Sequence, residues 1–276
     1  AVLSGSAFRG AKAAMLGSGV GMDADKVDEE GREVYKLEGV VIPEWNTSYD
    51  SLNADSPAEK GVVQLFMKAA KFDDEALLKS LVLESHVNPN LRDRKGWTSL
   101  VRAAKCGSVK AVRFLCDAKA DLNSQTKEKN SAVMKATKQG HLEIVQTLVA
   151  HQADVNIKNS GLATPLMMAV MKSQKRTETG MEFINILLRG KANVNEQKDT
   201  GYTSLMIAAR AGQEQICHTL IEAMARLDQK DKAEETALQK AQKYNKQAAV
   251  KVIQTAGAQA AAAKKGPGGQ ALTNYG

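Results

Sequence analysis

The residues best suited to hold a metal or act as nucleophiles in this 276-residue chain are four histidines and three cysteines, and their spacing serves neither purpose. His86, His141, His151 and His218 fall at none of the His–His or Cys–His separations that bring two ligands to one metal, and Cys217 beside His218 would face a different side of a helix. Cys106, Cys116 and Cys217 form no Cys/His nucleophile constellation. The run "GSGVG", residues 17–21, could cradle a phosphate only after a strand and before a Lys-Ser/Thr pair, and it has neither signal. No GxSxG elbow or kinase signature is present. The adjacent carboxylates Asp73 with Asp74, and Glu29 with Glu30, lie in polar stretches and suit solvated charge or a helix start better than a tuned acid–base pair. The expected chemistry is therefore non-catalytic, with no metal and no cofactor.

What is left is recognition, and the side chains that would recognise something are ordered by a repeat. The stretch "GYTSLMIAARAG" from Gly201 recurs as "GWTSLVRAAKCG", "KNSAVMKATKQG", "LATPLMMAVMKS" and "EETALQKAQKYN". Aligned on Thr98, Ser131, Thr164, Thr203 and Thr236, the spacings are 33, 33, 39 and 33. The long interval contains "KSQKRTETG", residues 172–180, which is expected to be a polar insertion of six residues between two helices. A second landmark keeps step: "ADLN", "ADVN" and "ANVN" end at Asn123, Asn156 and Asn195, with "VNPN" ending at Asn90 as a looser copy.

Two short helices fit between these landmarks. The Thr or Ser can cap the free N–H groups of the first, and Pro165 sits where a missing N–H costs nothing. In "HLEIVQTLVAH", Leu142, Ile144, Val145, Leu148 and Val149 make one apolar face of the second.

The period, the "TPL" at Thr164, "GHLEIVQTLV" at Gly140 and "ADVN" at Asp154 resemble ankyrin repeats. The resemblance covers about residues 62 to 258, as five units preceded by a half-degenerate one, "LFMKAAKFDDEALLKSL". It implies an all-α, ankyrin-type solenoid of stacked helix-turn-helix repeats with projecting β-hairpin loops, each unit burying its neighbour's apolar stripe. The family's usual histidine is replaced by Val101, Met134, Met167, Met206 and Gln239, which puts the usual ties between loops in doubt and favours adaptable apolar packing. The outermost repeats are polar, as solenoid caps should be.

The resemblance further implies that a partner meets the concave face. Seven residues beyond each capping hydroxyl stand Lys105, Lys138, Met171, Arg210 and Lys243, a mostly basic row spaced about 10 Å per layer of packed helices. Arg94, Lys95 and Lys127 occupy the loop tips, and Trp97 and Tyr202, each just before a capping Thr, are expected to be exposed interface anchors.

Charge divides the chain. Its net value is +7, but residues 1–22 carry +2, residues 23–60 carry eleven acids against four bases for −7, and the remainder carries +12. The domain reading is a leader over 1–60, basic to 22 and acidic to 60, then a repeat domain over 61–258 and a flexible Ala/Gly-rich tail over 259–276. Within the leader, Tyr35, Val41, Ile42 and Trp45 form an apolar strip expected to dock on the chain's own repeats or on a neighbour.

The leading expectation is an adaptor that binds a partner carrying an acidic or extended segment through a basic groove. The alternative is an accessory subunit of a large, organellar assembly held by its terminal extensions. Nucleic acid is disfavoured because the bases are interleaved with acids and no reading module is present. Three unpaired cysteines point to a reducing intracellular compartment, cytoplasmic or organellar after removal of a targeting segment, and no stretch suits a transmembrane helix.

Overall fold

A computed structural model describes residues 2–3, 24–27, 33–36, 57–85, 87–174 and 177–265. Val41, Ile42 and Trp45 lie outside them, as do residues 266–276. The chain divides into two compact units, Ala1–Ile157 and Lys158–Gly276.

In the first unit, strands β1 (Val2–Leu3), β2 (Ala24–Val27) and β3 (Glu33–Lys36) pair antiparallel in the order β1-β3-β2. Tyr35 belongs to β3, where its backbone is partnered with Leu3 and Ala24. Helix α1 (Pro57–Lys71) starts inside what the sequence assigns to the leader. Then follow α2 (Glu75–Lys79), continued as a π-turn over Ser80–Glu84, α3 (Ser99–Cys106), α4 (Val109–Asp117), α5 (Ala132–Gln139) and α6 (Leu142–Ala150). First helices stack on first helices, α1 on α3 and α3 on α5, while α2, α4 and α6 form a second layer.

The second unit repeats the scheme with α7 (Pro165–Ser173), α8 (Thr177–Arg189), α9 (Ser204–Ala211), α10 (Glu214–Glu222), α11 (Ala237–Lys243) and α12 (Gln247–Lys265). Here α7 packs on α9 and α9 on α11, and α10 packs on α12. Helix α12 runs to Lys265, beyond the residue 258 at which the sequence reading ends the repeats, because "AQAAAAKK" is built from strong helix formers.

Local chemistry sets these elements. All five predicted hydroxyls cap their helices: Thr98, Ser131, Thr164, Thr203 and Thr236 accept from the backbone N–H three residues on, at 3.2–3.4 Å. Gly107, Gly140 and Gly212 close α3, α5 and α9 in the left-handed conformation. At the positions where the family carries histidine, Val101, Met134, Met167 and Met206 are at most 1% exposed and fill the core. Gln239, the exception, completes a capping box with Thr236.

The insertion is largely helical rather than a loop. Residues 172–173 end α7, and 177–180 begin α8, which is 13 residues long where the other second helices of complete repeats before the last have 9. Gly180 permits the close approach of the two, since a Cβ there would lie 2.1 Å from Ser173 Cβ.

The expected β-hairpin projections are not formed as strands. Between repeats the chain makes tight turns closed by two backbone bonds each, such as Asp93 N–H to Trp97 O and Gly96 N–H to Asp93 O, both at 2.8 Å, and Lys198 N–H to Tyr202 O at 3.0 Å with Gly201 N–H to Lys198 O at 2.8 Å. Among the described residues of the repeats, the only β-type pairing is an isolated bridge between Arg92 and Thr98. In three of the turns the side chain that opens the turn holds it: Asp93 Oδ1 accepts from Lys95 and Trp97, Asn159 Oδ1 from Gly161 and Ala163, and Asp231 Oδ1 from Ala233 and Glu235. These side-chain clasps supply the closure a ladder would otherwise give.

The loop ties that the missing histidines put in doubt are made by other groups. Asn90, Asn123 and Asn195, the last residues of the second landmark, each accept through Oδ1 from the backbone N–H 31 residues on, Asp121, Asp154 and Arg226, at 2.7–2.9 Å. Arg92 donates to Gln125 O, and Gln197 to Lys230 O. The landmark is thus an inter-repeat clasp within each unit, which explains why it keeps the period.

Candidate functional site

In the first unit a basic cluster gathers around Trp97. The indole, expected to be exposed, is 8% exposed. Arg102 and Lys135 each lie 4.7 Å from a ring centroid of Trp97, and Lys105 lies 5.1 Å away, so cations cover the faces that a partner was expected to touch. The aromatic acts as a platform that orients cations.

Arg102 is paired with Asp93 at 3.0 Å, but among the described residues no carboxylate pairs with Lys135. Burial chiefly, with the charges of Lys138 and Lys105 adding to it against the pull of Glu128, holds the Lys135 pKa below the ordinary lysine value. Glu128 itself is engaged by Thr126 Oγ1 at 2.7 Å. Lys105, Lys138 and the tip residues Arg94, Lys95 and Lys127 are exposed.

The second unit carries the same constellation 105 residues later, with one difference that matters. Tyr202 stands for Trp97, Arg210 for Lys105, Lys240 for Lys135 and Lys243 for Lys138. Lys240 Nζ lies 4.3 Å from the Tyr202 ring centroid and is 1% exposed. It is compensated: Asp231 lies 2.5 Å away and Glu235 2.8 Å. Burial opposes the charge, but the bonds to Asp231, Glu235 and Tyr202 outweigh it and raise the Lys240 pKa above its ordinary value. Glu235 also pairs with Lys243 at 2.5 Å, so this member of the predicted row is occupied. Tyr202, the second expected anchor, is half-buried beneath Lys240.

Arg210 remains on the surface, stacked 4.9 Å from the ring centroid of Tyr244. It lines an open cleft of about 660 Å³ with Ser173, Gln213, Tyr244 and Lys246. Met171 is 40% exposed on α7.

The structure therefore brings Trp97 and Lys105 together with two residues that the sequence reading missed, Arg102 and Lys135. The signal was available, because positions four and seven beyond a cap share one helix face. Four residues on from the hydroxyls stand Arg102, Lys135, Met168, Ile207 and Lys240.

The two buried thiols, Cys116 and Cys217, are not poised for chemistry. Burial, then Asp117, pushes the Cys116 thiol up to about 11, and burial, then Glu214, pushes Cys217 up to about 12. Among the described residues no three His, Cys, Asp or Glu side chains gather as a metal site, and no helix is long and apolar enough to cross a membrane.

Comparison with known proteins accords with this geometry. A family model for ankyrin repeats, in three copies, matches residues 66–159, 119–178 and 166–264. The ankyrin repeat and KH domain-containing protein mask-1 of Caenorhabditis elegans is 37% identical over 125 residues, 45% of this chain and 4% of that protein. An L-asparaginase of Dirofilaria immitis is 29% identical over 184 residues, 67% of this chain and 30% of that protein. The chain thus spans less than a third of either relative.

Among solved structures, an ankyrin repeat domain from Acinetobacter baumannii is similar with a TM-score of 0.63 and 28% identity, covering 70% of this chain and 97% of that one. A chain in the structure of a predatory endopeptidase from Bdellovibrio bacteriovorus in complex with an immunity protein matches with a TM-score of 0.58 and 28% identity, covering 69% and 96%. The matched residues are the ones whose capped first helices, buried methionines and stacked pairs build both units, and the chain belongs to the ankyrin repeat family.

Proposed function

We propose that this protein is a non-catalytic adaptor that holds a protein partner bearing an acidic segment on the basic face made by its first-helix ends and loop tips. Ankyrin repeats are a protein–protein interaction module, and that coarser assignment follows from the family. One of the similar structures is itself a complex of two proteins.

The observation that carries the finer reading is the set of exposed cations that the first unit holds at its first-helix ends and loop tips. Lys105 and Lys138 stand at helix ends and Arg94, Lys95 and Lys127 at tips, whereas the apolar, hydroxyl and asparagine positions are spent on packing, capping and clasps; in the second unit Arg210 is exposed at the equivalent helix end. Such a face steers an acidic partner and sets its orientation.

Lysine-reactive crosslinking in a gentle lysate of the protein's own source tests this directly. The expected crosslinks to a partner fall on Lys95, Lys105, Lys127 and Lys138. Crosslinks confined to second-helix lysines such as Lys110 and Lys251 would contradict the reading. Crosslinks confined to residues 1–56 and 266–276, within a large complex, would replace it with the accessory-subunit assignment.

A further inference from the structure

Besides Ile207 in place of Arg102, and Arg210 stacked on Tyr244 where Lys105 lies over Trp97, the matched constellations of the two units differ in their carboxylates. Tyr202, Asp231, Glu235 and Lys240 in the second unit correspond, at a constant offset of 105 residues, to Trp97, Thr126, Asn130 and Lys135 in the first. In the second unit the chain supplies its own anions, and Lys240 is closed over by Asp231 and Glu235. In the first unit those two places hold a hydroxyl and an amide, which cannot neutralise a cation. Lys135 nevertheless keeps its seat on the aromatic ring, with Lys105 on the same ring and Lys138 close enough to act on its charge. Glu128, held by Thr126 Oγ1, acts on the Lys135 charge but does not pair with it, so among the described residues the first unit has the receptor without a carboxylate seated on it.

Resting on the function proposed above, we infer that Lys135 and Lys105 over Trp97 receive a carboxylate side chain from the partner's acidic segment, which takes the place that Glu235 takes on Lys240. The second unit shows what such a bound state is like. A carboxylate that reaches Lys240 also reaches Lys243, at 2.8 and 2.5 Å. The counterpart of Lys243 in the first unit is Lys138, and the cation that joins Lys135 on the ring there is Lys105. The occupant is a glutamate or aspartate in an extended peptide. Lys135 is half-buried while Arg94, Lys95 and Lys127 of the tips are exposed, an arrangement that suits a single side chain reaching in from an extended peptide.

The test uses the full chain carrying Trp45→Phe, so that Trp97 is its only tryptophan, and deca-glutamate as the probe. Titration is expected to shift Trp97 emission with a saturable, salt-sensitive curve. Asn130→Glu installs the missing acid in cis without removing any positive residue. It is expected to weaken deca-glutamate binding at least tenfold, with the melting temperature unchanged or raised. Lys135→Met keeps the stem over the ring and is expected to weaken binding to the same degree.

Unchanged affinity in Asn130→Glu, or Trp97 emission indifferent to a saturating probe, would overturn the inference. If deca-glutamate then still loses affinity in Arg210→Glu, the basic-face reading survives and only this seat is wrong. If Arg210→Glu has no effect either, both fail. A response of Trp97 to oligouridylate equal to or stronger than its response to deca-glutamate would also overturn the carboxylate assignment.

Discussion

Replacing Asp231 by Ala is expected to destabilise the second unit by about 3 kcal/mol, whereas Lys240→Met costs less than half as much. The asymmetry follows from what each change leaves behind. Without Asp231, Lys240 is enclosed at 1% exposure with Glu235 as its one carboxylate, which it shares with Lys243, and the turn loses the acceptor for the Ala233 and Glu235 amides. Without the Lys240 ammonium, Asp231 still accepts those two N–H bonds, Glu235 still pairs with Lys243, and a methionine stem still covers Tyr202. The figure sits at the low end for a broken buried pair because the cluster is closed over at a loop tip, close to water.

The same cluster sets a pH window. Asp231 and Glu235 have lowered pKa values: burial acts against Asp231 but is outweighed by its bonds to Lys240 and the backbone, and bonding to Lys240 and then Lys243 lowers Glu235. Their contribution is complete above the ordinary values of 3.8 and 4.5 and is lost as the pH falls through the lower folded values. Lys240, with its pKa raised, contributes fully below 10.5 and less as the pH rises through its folded value. Chemical denaturation of the three proteins across pH checks both statements. Equal losses in Asp231→Ala and Lys240→Met would contradict the first.

Gly201→Ala is the second large effect expected, again about 3 kcal/mol, from a clash rather than from backbone dihedrals alone. Gly201 has φ +81°, but Lys129, Leu162 and Glu234 occupy the same tip position in other repeats with φ of 58°, 55° and 59°, so that conformation alone is tolerated here. What differs is the neighbour. A Cβ on Gly201 would lie 2.7 Å from Lys232 N and 2.8 Å from Asp231 Cα, which are backbone atoms of the next tip and cannot swing aside. At Gly212 the atom in the way is Lys246 Cδ at 2.8 Å, part of a flexible side chain, and Gly212→Ala is expected to cost only about 1 kcal/mol. Comparable denaturation midpoints for the two variants would show that tip stacking in this unit is looser than described.

The parts of this architecture legible in the sequence were those that depend on one repeat at a time. The capping hydroxyls and the methionines in place of histidine follow from helix periodicity and short-range hydrogen bonding. The parts that escaped depend on two repeats together. Trp97 looked exposed in part because one of the three cations that cover it, Lys135, comes from the next repeat, 38 positions away. Asn90, Asn123 and Asn195 looked like turn formers because their acceptor role is met 31 residues later. The 172–180 stretch looked like a loop because its polarity outweighed its helix-forming content, and the close seating of Gly180 against Ser173 is a tertiary fact.

The central claim, that the basic face of the first helices and tips holds the partner, is tested most directly by measuring the affinity of the crosslinked partner for three proteins at low and physiological salt. These are the wild-type chain, Lys105→Glu with Lys138→Glu, and Arg210→Glu with Lys243→Glu. The account predicts an affinity that falls steeply with salt for the wild type and is at least tenfold weaker in the first double variant, with a smaller loss in the second because Lys243 is already paired with Glu235. Affinities that are the same for all three proteins and indifferent to salt would contradict it and move the interface to another surface.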